Sequence, residues 1–297
     1  DYSYGSLLIP VKNQTIPSSE LYELLQKLSV DSGVSISSIS SGYSLSGVDL
    51  GSSAFRTVEL PKVLVVTGGS VSSAEAGEVW HLFDQKLKYP LTRVDADVFK
   101  RVSLNDFNRI VLVSGDYSFL DKQGIQNLQN WVRNGGTLIN VNTAFRWAIS
   151  NGLTKAELQT AKNDTIQQKQ ALSPRSFDNR IPTSVFDTKV NLKHPLAFGL
   201  TSESLPVARE SSLFLAANNK SDAVSVYTEK PLLNGYISPS QLDILKGSAS
   251  ILSDRQGSGN VVLFAENPIF RGIWDATSRT FVNAIVFGSI INSNGFR

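Results

Sequence analysis

Apolar residues in this chain fall into short dense runs, separated by stretches with helical spacing and by turn residues. Residues 61–67, Pro-Lys-Val-Leu-Val-Val-Thr, form a continuous run of the kind found in parallel strands covered on both faces. Gly68-Gly69-Ser70 follows. Ser72-Ser73-Ala74-Glu75 then has capping-box spacing and predicts a helix to about Leu87, with Val79, Trp80, Leu82, Phe83 and Leu87 as its buried stripe. Residues 91–94 and 110–113 predict two more strands, the second ending in Ser114-Gly115-Asp116-Tyr117. Asp121 caps a helix with Ile125, Leu128, Trp131 and Val132 at helical spacing, and Gly135-Gly136 stops it. Residues 137–141 form a buried strand that turns at Asn142 into another helix carrying Arg146. This alternation predicts an α/β fold with a doubly wound, mostly parallel sheet.

The flanks are less regular. Residues 6–11 read as a short strand closed by Pro10, and Ser18 or Ser19 caps a helix through about Leu28 with Leu21, Leu24, Leu25 and Leu28 on one face. Residues 34–41 alternate as a strand should, and the Gly- and Ser-rich stretch 42–57 reads as loop. Residues 1–58 thus form a βαβ-like preface to a main unit, 59–297. Within that unit Thr154-Lys155-Ala156-Glu157 is a second capping box, and residues 163–190 read as a polar surface excursion. Residues 213–216 and 223–227 predict strands. Residues 249–252 and 260–265 predict a hairpin around Gln256-Gly257-Ser258-Gly259, and a helix over 277–291 closes the chain.

With 28 basic against 26 acidic residues, the charge balance favours neither a nucleic-acid nor an anionic-membrane surface. No apolar run approaches the roughly 18 residues of a membrane span. The absence of cysteine excludes disulfides, thiolate catalysis and cysteine-ligated zinc. The chain also lacks methionine, which is unusual at 297 residues. Its opening, Asp1-Tyr2-Ser3-Tyr4-Gly5, shows neither initiator nor signal peptide and reads as a fragment of a longer protein.

The turn at Asn142 has the layout of a nucleophile elbow, in which a strained residue presents its side chain above the sheet. Here that residue is asparagine. A Ser-His or Cys-His arrangement therefore lacks its nucleophile at the tip. Ser114, Asp116, Asn142 and Arg146 lie at strand carboxyl ends, where ligands of open α/β sheets bind, and Arg146 could meet a carboxylate or phosphate. Their alternative roles are capping and packing. Gly68, Gly69 and Ser70, ahead of a helix start, could hold an anion on free backbone N–H groups, against the simpler reading of a tight turn. His81 and Asp84 share a helix side without a second nearby histidine, so a metal there lacks ligands. His194 opens His-Pro-Leu-Ala-Phe-Gly, a strand-exit turn. A hydrolase using Ser114 or Asp116 with His194 is the competing reading. Residues 266–274 concentrate aromatics and charge in Asn267, Phe270, Arg271 and Trp274, forming either a docking surface or a structural latch.

Taken together, several segments resemble a known family. They are residues 61–67, Glu75-Ala76-Gly77-Glu78-Val79-Trp80-His81-Leu82-Phe83-Asp84, Trp131-Val132-Arg133-Asn134-Gly135-Gly136-Thr137-Leu138-Ile139, His194 to Gly199, and Asn267-Pro268-Ile269-Phe270-Arg271-Gly272. With Tyr4-Gly5-Ser6 and Ile9-Pro10-Val11, they resemble the C-terminal region of bacterial secreted zinc carboxypeptidase-like proteins of the carboxypeptidase A type. That region is itself similar to class I glutamine amidotransferase domains of flavodoxin-like fold. The resemblance implies an exported, secreted or periplasmic parent whose zinc-binding peptidase domain lies upstream and is this chain's partner. It implies neither cofactor nor catalytic residue here, since His-x-x-Glu is missing and the elbow carries Asn142. The remaining role is accessory: packing on the peptidase domain, or binding a peptide, glycan or small ligand.

Overall fold

The computed structural model describes residues 5–52, 55–160, 181–218 and 221–291. The chain divides into two compact units, Asp1–Thr57 and Val58–Arg297. In the first, α1 (Ser18–Ser32) follows Pro17 and ends at Gly33. Leu21 is buried and Leu25 half-buried, whereas Leu24 and Leu28 are exposed. The strands expected over 6–11 and 34–41 do not form: among the described residues neither joins a ladder. Alternation supplies an apolar edge but no partner for the backbone N–H and C=O groups, so the βαβ preface is corrected to one helix between irregular segments.

The second unit is built on a nine-stranded sheet of order β2-β1-β3-β4-β9-β8-β7-β5-β6. Its strands are β1 Val63–Thr67, β2 Thr92–Asp95, β3 Arg109–Leu112, β4 Thr137–Val141, β5 Ser184–Val190, β6 Ser204–Arg209, β7 Asp222–Asn234, β8 Ala249–Gln256 and β9 Gly259–Phe264. Strands β2, β1, β3, β4 and β9 run parallel. From β9 outward, the β8, β7, β5 and β6 pairings are antiparallel. The helices are α2 Ser73–His81, α3 Ala96–Phe99, α4 Lys122–Arg133, α5 Ala144–Ser150, α6 Pro239–Leu245 and α7 Asp275–Phe287. The order 2-1-3 reverses direction between β1 and β3, which makes that crevice the topological switch point of a doubly wound sheet.

The apolar runs of β1, β3 and β4 are buried along their length, as their composition predicts. The stripe on α2 is narrower than expected. Val79, Leu82 and Phe83 are buried, but Trp80 stands 40% exposed under Arg93, and Leu87 is also exposed. Adjacent helical positions diverge by about 100°, so Trp80 cannot share Val79's face. From Leu82 to Leu87 the helix widens into a π turn that closes on a left-handed Lys88.

Three local expectations change in the antiparallel half. The excursion over 163–190 ends in β5; its residues 163–180 lie outside the described residues. No helix starts at Thr154: its hydroxyl donates to Asp254 Oδ2 at 2.7 Å, and the chain runs on to a single bridge between Leu158 and Leu215. Residues 213–216 supply only that bridge and another to Ala249, too little for a strand. At the far end of the sheet, the buried Arg109 donates from Nε to Ile285 O at 2.6 Å, a cation on the last turn of α7.

Candidate functional site

At the carboxyl end of β4, Asn142 takes φ 53°, one of three non-glycine residues in the left-handed region among the described residues. Asparagine tolerates that conformation better than most side chains. The elbow is therefore built, and its tip presents an amide. That amide points into the switch-point crevice, where Asn142 Nδ2 donates to Glu75 Oε1 at 2.8 Å. The Asn142 N–H donates the other way, to Glu266 O at 3.3 Å.

Glu75 is the hub of the crevice. Its Oε2 accepts from the Ser114 N–H at 2.7 Å, and its Oε1 from the Ser114 hydroxyl at 2.9 Å. Ser114 Oγ accepts in turn from the Thr143 N–H at 3.3 Å. The capping box is thus half made: Ser72 Oγ accepts from Glu75 N–H at 3.3 Å, but Ser72 N–H goes to Ser114 O at 2.7 Å. The carboxylate is free to cross to β3 and the elbow. Gly115 makes the crossing possible, since a Cβ there would lie 2.8 Å from Val71 Cα. Tyr117 is buried beside the hub and donates to Val113 O at 2.7 Å. Burial raises the pKa of its phenol, and the negative Glu75 raises it further, so it stays protonated.

Four of the crevice residues singled out in the sequence gather here unequally. Ser114 and Asn142 meet through Glu75. Asp116 is exposed and closes its own turn, accepting from Ser118 N and Oγ at 2.9 Å each. Arg146 stands exposed on α5. At Gly68-Gly69-Ser70 the turn serves the sheet: Val71 N–H returns to Gly68 O at 3.0 Å, and Asp116 N–H donates to Ser70 O at 3.3 Å. Gly68, at φ 76°, leaves space for the Asp95 carboxylate, which a Cβ would overlap at 1.9 Å. A native carboxylate at that point opposes binding of an outside anion.

The histidines stand apart from the crevice. His81 is exposed on α2. His194 is buried at the start of the 3₁₀ turn Pro195–Ala197, and its Nδ1 accepts from the Leu196 N–H at 3.1 Å. Nδ1 is therefore the unprotonated nitrogen. Burial lowers its pKa to about 4. The Ser114 hydroxyl donates to a carboxylate, not to this imidazole. Among the described residues no three His, Asp or Glu side chains cluster as a metal site needs.

The 267–274 connection is tied to α2 by Glu78, whose Oε2 accepts from Asn267 Nδ2 and whose Oε1 accepts from Arg271 N–H at 2.8 Å. Pro268 and Ile269 are buried, Phe270 and Trp274 half-buried, and the Arg271 side chain is exposed. The loop is thus latched to α2, with the Arg271 side chain left exposed. As a sequence pattern, Glu75 reads as a capping-box residue and Glu78 carries no site assignment. Their spacing of three on a helix that leaves the switch-point strand was the signal that both face inward.

Behind the elbow lies a sealed cluster. Glu266, just past β9, accepts from Arg209 Nη1 at 2.6 Å, from Ser250 Oγ at 2.7 Å and from the Tyr227 hydroxyl. Arg209 also donates to Leu213 O and lies 4.8 Å over the Phe214 ring. Burial raises the pKa of Glu266 to about 7, against the pull of Arg209, while every neighbour donates to it as to an anion. The gap beside it holds only about 10 Å³.

Neither a family model nor a curated protein matches the sequence. Solved structures match through the fold. A putative ThuA-like protein from Parabacteroides merdae aligns with TM-score 0.52 and 10% identity, over 78% of this chain and 90% of that one. A glutamine amidotransferase from Thermotoga maritima aligns with TM-score 0.43 and 11% identity, over 68% and 74%. An exo-beta-1,4-mannosidase from an Opitutaceae bacterium aligns with TM-score 0.42 and 13% identity, over 79% of this chain and 37% of that one. At such identities the likeness is one of architecture. The chain has an α/β fold with a doubly wound, mostly parallel sheet whose parallel strands follow the flavodoxin-like order, an architecture it shares with the ThuA-like protein.

Proposed function

We propose that this chain is a non-catalytic accessory or ligand-binding region of an exported zinc carboxypeptidase-like protein. The observation that carries the non-catalytic part is the elbow tip, where Asn142 replaces a nucleophile and its amide is bonded to Glu75. The resemblance of the segments quoted above carries the parentage. Binding would fall to the crevice rim, where Asp116 and Arg146 offer exposed charge of both signs to a peptide, glycan or small ligand. The upstream peptidase domain is the partner in this reading.

The full-length parent provides the test. Arg146→Ala and Asn142→Ala are expected to weaken ligand binding by the parent, or its peptidase activity, while zinc content stays constant. If both properties are unchanged in both variants, the crevice is not a binding site. An open reading frame lacking a zinc-ligand pattern upstream would remove the parentage. The competing hydrolase reading predicts ester or amide turnover by this chain alone, abolished in Ser114→Ala and in His194→Asn.

A further inference from the structure

A separate cavity of about 310 Å³ lies between α2 and the β9–α7 connection. Gly77, Glu78, His81 and Leu82 line one wall at the i, i+1, i+4, i+5 positions of a single helix side, and Lys86 of the π turn and Arg271 reach it as well. The volume matches a small-molecule site. Three features of the wall are unexplained by folding alone.

Gly77 is the first. A glycine inside a helix costs about 0.5–1 kcal/mol relative to alanine. Its φ is not positive, and a Cβ added there would meet nothing within 4 Å. Neither backbone conformation nor close packing calls for glycine, so what its missing side chain supplies is the open space itself. Arg271 is the second. It holds φ 52°, a conformation that non-glycine residues adopt at some cost, and its N–H is fixed on Glu78 Oε1 at 2.8 Å. The strained backbone seats this residue in the cavity wall with its side chain exposed.

Charge is the third. Glu78, also in the wall, is held by Asn267 and by the Arg271 backbone, and its single negative charge stands against two cations, Lys86 and Arg271. Among the described residues no carboxylate pairs with the Arg271 guanidinium, which lies 5.0 Å from the Phe270 ring. Lys86 donates to Gly272 O at 2.9 Å, and its acidic partner Asp275, at 3.4 Å, is 94% exposed. Such an exposed pair is worth little and yields to a better anion. Leu82 and Ile269 give the same cavity an apolar floor.

We propose that this cavity binds a small organic anion, an apolar body bearing a carboxylate or phosphate. Lys86 and Arg271 engage the anionic group, and the space over Gly77 takes the body. The site is distinct from the crevice and does not rest on the accessory role proposed above.

The test is calorimetric titration of the whole chain at low salt with benzoate and with phenyl phosphate. Saturable binding of either is expected, and which of the two binds tells carboxylate from phosphate. Arg271→Gly keeps the left-handed backbone without strain, so it should hold or raise the melting temperature while weakening affinity at least about tenfold. Gly77→Leu should abolish binding by filling the cavity, whereas Gly77→Ala should retain binding and melt higher. Absence of saturable heat with both probes up to about 10 mM overturns the proposal. So does binding that survives both Arg271→Gly and Gly77→Leu.

Discussion

Two glutamates flank the elbow, and Asn142 touches both: the Glu75 side chain through its amide and the Glu266 backbone through its N–H. Their surroundings differ sharply. Glu75 sits half-buried in the first turn of α2, where the helix N-terminus and three donors from Ser114 and Asn142 stabilise its charge with water still within reach. Glu266 is sealed in the core and keeps its charge only through Arg209, aided by Tyr227 and Ser250. The same residue type thus works as an adjustable brace at the mouth and as a fixed strut behind it. What separates them is access to solvent, which sets how much compensation a carboxylate needs.

The strut gives the largest expected effects. Arg209→Ala leaves a buried carboxylate unpaired and should cost about 3–5 kcal/mol, a fall in melting temperature on the order of 10 °C. Replacing both partners, Arg209→Met with Glu266→Leu, should recover most of that loss. A loss below about 1 kcal/mol for the single variant in urea titration would erase the distinction between strut and brace.

Protonation sharpens it next. His194, at a pKa of about 4 against an ordinary 6.5, binds fewer protons folded than unfolded between those values. Its contribution is therefore present above pH 6.5 and lost as pH falls towards 4, by up to roughly 3 kcal/mol. Glu266 runs the other way. Burial raises its pKa against the pull of Arg209, so holding the charge inside costs more as pH rises and its contribution falls in that direction. Stability measured against pH for wild type and for His194→Asn, which keeps an acceptor for the Leu196 N–H, separates the two slopes. An unchanged profile in the variant would show that His194 is not the group responsible.

At the brace, Glu75→Ala strands the Ser114 N–H and the Asn142 amide and should cost about 1–3 kcal/mol. The smallest effect tests the elbow itself. Asn142→Gly loses one hydrogen bond but relieves the left-handed backbone, so it should be milder than Asn142→Ala by about 1 kcal/mol. Equal losses in the two variants would mean that the turn is not strained.

Much of the central sheet was legible because its signals are local. The apolar run of 61–67, the helix stop at Gly135-Gly136 and the strand leading to Asn142 each specify their conformation within a few residues. The same logic misled at residues 34–41, where alternation was present without a partner strand, and at Thr154, where a capping box was drawn instead to Asp254. Glu75 shows the intermediate case. Its spacing from Ser72 marked a helix start correctly, yet its carboxylate answers to Ser114 and Asn142, 39 and 67 positions away.

The sequence by itself determined the α/β class, the place of the elbow and the asparagine at its tip. Periodicity records which face of an element is apolar, and turn residues record where it ends. Only the tertiary structure decided the strand order, the antiparallel extension through β5 and β6, and the pairing of Arg209 with Glu266 across 57 positions. It also decided that Gly77 borders open space. Those outcomes depend on which backbone edge and which charge come to lie opposite, and a one-dimensional pattern does not encode the neighbour.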